Sequence, residues 1–376
     1  MADDHDRTFA ARLDRVRASM RDRGIDVTLL SVGADLPWLT GYRAMPLERL
    51  TMLVVPVDAD ATMFVPRLEV PRVVERPDVF TVVGWDETTD PVRLVAEAVG
   101  AAREVAIGDQ TWARFLVDLL AVLPGVRWRR ANDVVGPLRA VKDAAEVASL
   151  REAAAAVDRI AAELQSGGIP LIGRTEADVS AELSRRIVAE GHERTNFAIV
   201  AAGEHAASPH HHPGDRVIQP GEVVLCDFGG TFPLAGSGVG YCSDITRCVY
   251  TGEPPAEFAE LYGVLQDAQQ RAVVAATVGR PAEEVDAVAR ERIAEGGFDG
   301  LFIHRLGHGI GTEEHEEPYL VEGNREPLVA GNAFSIEPGI YVAGRWGARI
   351  EDIVVATTEG PLALNEADHG LAVVDA

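Results

Sequence analysis

The sequence predicts an α/β amino-terminal domain over residues 1–132, then a larger α+β domain over 133–376 duplicated about an internal pseudo-twofold. Three observations lead there. At 376 residues the chain exceeds what one small core organises, so two domains are the default. Its first ~130 residues alternate short helical and strand-like runs. Beyond them, two long helices are followed by strands, and the same order then occurs again. The duplication rests on element order, since no sequence repeat accompanies it.

The elements follow in turn. Phe9, Leu13, Val16 and Met20 share one face of a helix over 9–23, which Gly24 stops. A strand follows over 25–30. Further strands are expected over 50–57, 61–65, 79–83 and 105–108, with helices over 91–102 and 112–123. Residues 132–141 read as the connection between domains. Asp143-Ala144-Ala145-Glu146 has capping-box spacing and opens an alanine-rich helix to about 165. Thr175-Glu176-Ala177-Asp178 resembles the same signal for a helix ending near Gly191. Strands over 196–202, 222–229 and 241–250 precede helices over 255–276 and 281–295, and more strands close the chain.

Composition narrows the partners. A net charge of −24 argues against nucleic acid and against an anionic membrane surface, both of which demand basic groups. The acidic start, Ala2-Asp3-Asp4-His5-Asp6, is unlike a signal peptide, and no run approaches the ~20 apolar residues that span a bilayer. Three cysteines in a chain this long predict reduced thiols in a cytoplasm. Lys142 is the only lysine, which weakens any Schiff-base mechanism. The first 130 or so residues carry no metal or nucleophile constellation, so support, gating or an oligomer interface is their expected role.

The chemistry is written in the last 150 or so residues, where Asp227, Asp244, His308, Glu337 and Glu351 stand in order. Asp227 ends the apolar run Val223-Val224-Leu225-Cys226, where an acidic group is costly unless paired or bound to metal. A hairpin would bring it to Asp244, and alternation along the second strand sets Thr246 beside Asp244, with Cys226 facing away. His308 sits in Gly307-His308-Gly309-Ile310-Gly311, whose small neighbours permit close approach to an ion. Glu337 and Glu351 likewise follow apolar strand-like runs. Singly, each of these residues reads as a turn, surface or ion-paired group. Together, four carboxylates and an imidazole suit two divalent ions about 3.5–4 Å apart.

These five settings resemble the pita-bread metallopeptidases, particularly Xaa-Pro dipeptidases (prolidases) and Xaa-Pro aminopeptidases. The likeness covers the whole chain. Leu39-Thr40-Gly41-Tyr42 looks like part of a creatinase-type amino-terminal domain, and 134–142 like the lead-in to the catalytic domain. Ser243-Asp244-Ile245-Thr246-Arg247 and 308–318 are the most specific matches. The resemblance implies that Asp227 binds one ion, that Asp244 and Glu351 bridge both, and that His308 and Glu337 bind the other. It also implies a homodimer. It makes His210, in Pro209-His210-His211-His212-Pro213, a substrate-site histidine and His315 a contact of the scissile carbonyl or tetrahedral intermediate. His304 would line the proline subsite, and Arg349 would be a substrate-side or structural arginine. His211 and His212 read as solvated loop residues, and His5, His192, His205 and His369 as surface ones. The connection between Asp227 and Asp244 is about six residues longer than the family pattern, as a longer hairpin tip would make it.

The implied reaction is hydrolysis of Xaa-Pro bonds in short peptides, with Glu337 as proton shuttle and His315 stabilising the oxyanion. A carboxylate-rich ligand set favours manganese, with cobalt, iron or zinc as alternatives. Two other functions stay open: a metal-dependent hydrolase of a non-peptide amide or other C–N substrate on the same fold, and an inactive peptide-binding module. Creatinase lacks the ligand set found here, and methionine aminopeptidase lacks the amino-terminal domain.

Overall fold

The computed structural model describes residues 2–234 and 236–375. The chain divides into two compact units: one holds the chain up to Arg139 together with Leu234–Val239, the other Ala140–Pro233 and Gly240–Ala376. In the first, a helix over Ala2–Arg23 buries Phe9, Leu13, Val16 and Met20 and stops at Gly24, whose φ is 66°. A six-stranded sheet follows the order Thr81–Trp85, Thr62–Pro66, Met52–Pro56, Val27–Leu30, Glu104–Ile107, Arg127–Arg130. Helices Pro91–Val99 and Ala113–Val122 contribute Val95 and Leu119 to its core.

Three features of this unit depart from expectation. The edge strand Arg127–Arg130 was hidden by its arginines, which an edge tolerates because most of their surface stays in water. A short helix, Asp35–Thr40, carries Trp38 and Leu39 into the core. The 132–141 stretch is a helix, Asn132–Ala140, despite Gly136-Pro137. Burial of Val134 and Val135 holds it where local propensity alone reads as a break.

The long connection after Asp227 also finds its place here. Leu234–Val239 belongs to this unit, with Ser237 buried and Gly238 against Gly41. A Cβ on Gly238 would stand 2.0 Å from the Gly41 carbonyl oxygen, so only glycine fits.

The second unit repeats one plan twice. Helices Ala144–Gln165 and Glu176–Ala189 start at the expected capping boxes, with Asp143 and Thr175 as caps. They pack on a sheet ordered Ala372–Val374, Ile245–Thr251, Val223–Pro233, Arg194–Ala202, with Gly240–Cys242 beside Val223–Pro233. Helices Ala256–Ala275 and Ala282–Ile293 then serve a second sheet: Glu316–Leu320, Gly307–Gly309, Ala333–Ile336, Asp352–Thr357, Gly360–Ala363. The strand expected over 241–250 is interrupted at Ser243-Asp244, between Gly240–Cys242 and Ile245–Thr251. An isolated bridge between Thr246 and Glu351 joins the first sheet to the segment entering Asp352–Thr357. No described helix is long and apolar enough to cross a membrane.

Candidate metal centre

Strand Val223–Pro233 is buried on both faces. Val224, Cys226 and Phe228 enter one core, and Val223 and Leu225 the other. Alternation therefore puts Asp227 on the Leu225 face, opposite Cys226 as expected. There it meets Arg349, whose Nη2 donates to Asp227 Oδ2 at 2.5 Å. Thr246 pairs with Asp227 across the ladder and donates from Oγ1 to Glu351 Oε2 at 2.6 Å. The fully buried Arg247 donates to the Glu351 carbonyl oxygen at 2.7 Å and to Asp352 at 2.8 Å, fixing the backbone on which Glu351 stands.

His308 lies in the short strand Gly307–Gly309 between two neighbours. Both glycines are required: a Cβ would come 1.9 Å from the Ser335 carbonyl oxygen at Gly307 and 2.1 Å from that of Glu317 at Gly309. The ring donates Nδ1–H to the Gly309 carbonyl at 3.1 Å. That hydrogen bond orients the ring and turns Nε2 toward the carboxylates, 3.2 Å from Glu337 and 3.9 Å from Asp244. Ser335 ties the two residues, donating to Glu337 and accepting from the His308 amide, each at 3.1 Å.

Four carboxylates held this closely, three of them buried, demand positive charge. Burial pushes Asp244 well above the usual carboxylate range, and Glu351, Asp227 and Glu337 add to the shift. Glu351 is likewise raised by burial and by Glu337 and Asp227. Asp227 is raised by burial, with Arg349 opposing. Burial also works to raise Glu337, but the hydrogen bond and charge of His308, then His304 and Arg349, carry it down to about 2. Asp227 Oδ1 and Asp244 Oδ1 are buried with no hydrogen-bond partner. Such oxygens cost free energy unless a cation takes them, so the residue set fits divalent metal.

A cavity of about 300 Å³ opens over this cluster. Its wall brings together all nine residues singled out in the sequence: the five above with His210, His304, His315 and Arg349. His304 donates from Nδ1 to the Arg305 carbonyl and accepts at Nε2 from the Tyr341 hydroxyl, both at 2.8 Å. Tyr341 in turn accepts from Arg349 Nη1 at 2.8 Å. Arg349 is thus committed to Asp227 and Tyr341, with Thr246 at 3.1 Å, which favours the structural side of its expected role. The rings of His308 and His315 lie 3.9 Å apart. Partial desolvation, then the His308 charge, lowers His315 to about 4 although its side chain stays exposed on the cavity wall, so its imidazole is neutral at pH 7.

Sequence reasoning missed other wall residues: Phe197, Ile199, Arg305, Glu314 and the Pro209 backbone. Period-two alternation along Arg194–Ala202 sets Phe197 and Ile199 on one face, and Arg305 and Glu314 adjoin His304 and His315. Several histidines read as surface residues also bond to buried carboxylates. His211 and His205 meet Glu176, and His369 bonds Asp352 at 2.6 Å. The His5 side chain lies outside the described residues. His192 is 3% exposed, donating to the Ile187 carbonyl and accepting from Ser243 Oγ at 2.8 Å, next to Asp244.

Burial lowers His192 to about 4, from 6.5 in the unfolded chain. Between those values the unfolded state binds more protons. The contribution is therefore intact above pH 6.5 and lost as pH falls toward 4, up to about 3 kcal/mol. Urea unfolding of wild type and His192→Gln across this range is expected to show a shallower acid loss in the variant. Equal slopes would assign the loss to other groups.

The domain models bear on the same geometry. Residues 12–141 match the Creatinase/Prolidase N-terminal domain and residues 148–358 match Metallopeptidase family M24. The chain belongs to metallopeptidase family M24. A probable dipeptidase PepE of Mycobacterium tuberculosis is 44% identical over 373 residues, covering 97% of this chain and 96% of that one. The crystal structure of dipeptidase PepE from Mycobacterium ulcerans superposes with a TM-score of 0.89 at 44% identity, covering 98% of each chain. A Xaa-Pro dipeptidase from Bacillus anthracis gives 0.87 at 28% identity, covering 97% of this chain and all of the other. This M24 chain is therefore an enzyme of metal-dependent peptide hydrolysis, with the pita-bread catalytic domain its sequence led us to expect.

Proposed function

We propose that this M24 enzyme hydrolyses the Xaa-Pro bond of short peptides, dipeptides first, with two divalent ions at Asp227, Asp244, His308, Glu337 and Glu351. The observation that carries the two-ion reading is the pair of buried, partnerless oxygens on Asp227 and Asp244, within a cluster of four carboxylates that a single ion would leave undercompensated. Manganese suits so oxygen-rich a set. When bound, the ions polarise the scissile carbonyl and make water acidic near neutral pH.

The protein's own groups do the rest. Glu337, ionised and hydrogen-bonded by Ser335, takes the proton of the attacking water and returns it to the leaving amine. His315 donates N–H to the oxyanion. An X-Pro bond lacks an N–H, so recognition passes to shape: Phe197, Ile199, His210 and His304 form a wall for the pyrrolidine ring. Substrate size is supported by the small cavity and by the dipeptidase names of relatives. Three free, buried cysteines support a reducing compartment. Hydrolysis with added manganese is tested on Xaa-Pro dipeptides, Xaa-Pro-Yaa peptides, Met-Xaa peptides and creatine. No cleavage of any Xaa-Pro substrate would overturn the assignment.

Arg305, held over the Tyr319 ring at 4.4 Å, lines the same cavity and suits a dipeptide's terminal carboxylate. A charge-assisted hydrogen bond is worth about 1.5–3 kcal/mol, or roughly 10- to 100-fold in kcat/KM. Arg305→Ala is expected to lose that much on a free Xaa-Pro dipeptide and little on its amide. Equal losses on both would remove Arg305 from carboxylate recognition.

A further inference from the structure

Away from that cavity, two backbone amides and two imidazoles of one loop converge on a single carboxylate. Glu176 opens the helix Glu176–Ala189 and is fully buried. Its Oε1 accepts from the Ala202 amide at 2.9 Å and its Oε2 from the Gly214 amide at 3.4 Å. These amides flank a loop that carries two imidazoles back to the same carboxylate. His205 Nδ1 lies 3.0 and 3.2 Å from its two oxygens, and His211 Nε2 lies 2.8 Å from Oε2. The rings lie 4.4 Å apart, and one ligating atom from each residue falls within 4.8 Å of the others.

We propose that Glu176, His205 and His211 form a second, mononuclear site for a first-row divalent ion, with zinc the best match. Two imidazole nitrogens and one carboxylate oxygen are a recognised zinc set, with the fourth position left to water. Ligands 2.0–2.1 Å from a tetrahedral ion lie about 3.3 Å from one another. The spacings from Oε2, 3.2 and 2.8 Å, need open by no more than about half an ångström to admit one. The two backbone amides already fix the carboxylate's orientation, as hydrogen bonds behind a metal ligand do. The His205 side chain is 38% exposed, which provides an entry path and room for water. None of the three residues lines the cavity over Asp244, so this ion is distinct from those at the catalytic cluster. It would peg the loop holding Pro209 and His210, two walls of that cavity.

The test uses the full chain, stripped with chelator and titrated with zinc, as wild type and as the His205→Asn/His211→Asn variant. The variant is expected to bind one equivalent fewer, whatever the stoichiometry of the catalytic cluster. The affinity lost there should exceed the about 10- to 100-fold that removal of an outer-shell partner alone costs. Wild-type crystals soaked in zinc should give an anomalous peak at the zinc edge between His205 Nδ1, His211 Nε2 and Glu176, a result that needs no variant to fold. Absence of that peak, or equal stoichiometry in the two proteins, would overturn the site and leave the peptidase reading untouched.

Discussion

Asp244→Ala or Glu351→Ala is expected to release both divalent ions and lower peptidase activity by at least about 1,000-fold, since the acidity and polarisation the ions supply are forfeited together. Either carboxylate would bridge, so neither ion keeps a full ligand set without it. Elemental analysis of the purified variants checks the ion count, with Asp227→Ala, a ligand to one ion, as the intermediate case. Misfolding is separable from ligand loss. In the metal-free protein the substitution removes a buried carboxyl whose ionised form is opposed by burial and by three like neighbours. Chelator-treated Asp244→Ala should therefore melt no lower than chelator-treated wild type, while added manganese should stabilise only the wild type. A variant that keeps two ions at wild-type affinity would overturn this ligand assignment.

His315→Ala is expected to leave the metal in place and lower kcat by about 100- to 1,000-fold, the usual cost of losing one oxyanion donor. The geometry separates the two effects. Asp227, Glu337 and Glu351 are held by Arg349, Ser335 and Thr246, not by His315, whose ring rests 3.9 Å from that of His308. Partial desolvation and the neighbouring His308 hold His315 below its ordinary range, so its donor role needs no protonation near neutrality. KM should change less than kcat, because the contact strengthens only as charge develops on the carbonyl oxygen. Unchanged kcat would remove His315 from the mechanism, and loss of metal along with kcat would make it a support for the centre.

Much of this was legible along the chain because the relevant physics is short-ranged. Capping at Asp143 and Thr175, helical spacing from Phe9 to Met20, and alternation from Val223 to Asp227 are settled by residues a few positions apart. An acidic side chain ending the apolar run Val223-Val224-Leu225-Cys226 signals a needed charge partner, an ion pair or a metal, before any fold is known. The misreadings share the opposite character. Arg127–Arg130 becomes a strand because Glu104–Ile107 lies beside it, and Asn132–Ala140 a helix because Val134 and Val135 are buried. His192, His205 and His211 have unremarkable neighbours in sequence, and only Ser243 and Glu176 give them a role.

The division is one of range. Local propensity, periodicity and desolvation cost dictate the elements and mark which side chains must find a charge partner, since each acts within about a turn or a strand. Which partner each finds belongs to the tertiary structure. Arg349 reaches Asp227 across 122 positions, Thr246 reaches Glu351 across 105, and Lys142 reaches Glu316 across 174. No short-range rule encodes such meetings, because they depend on how two sheets and four helices bury their apolar faces together. Packing sets those distances to fractions of an ångström, and packing is a property of the folded chain alone.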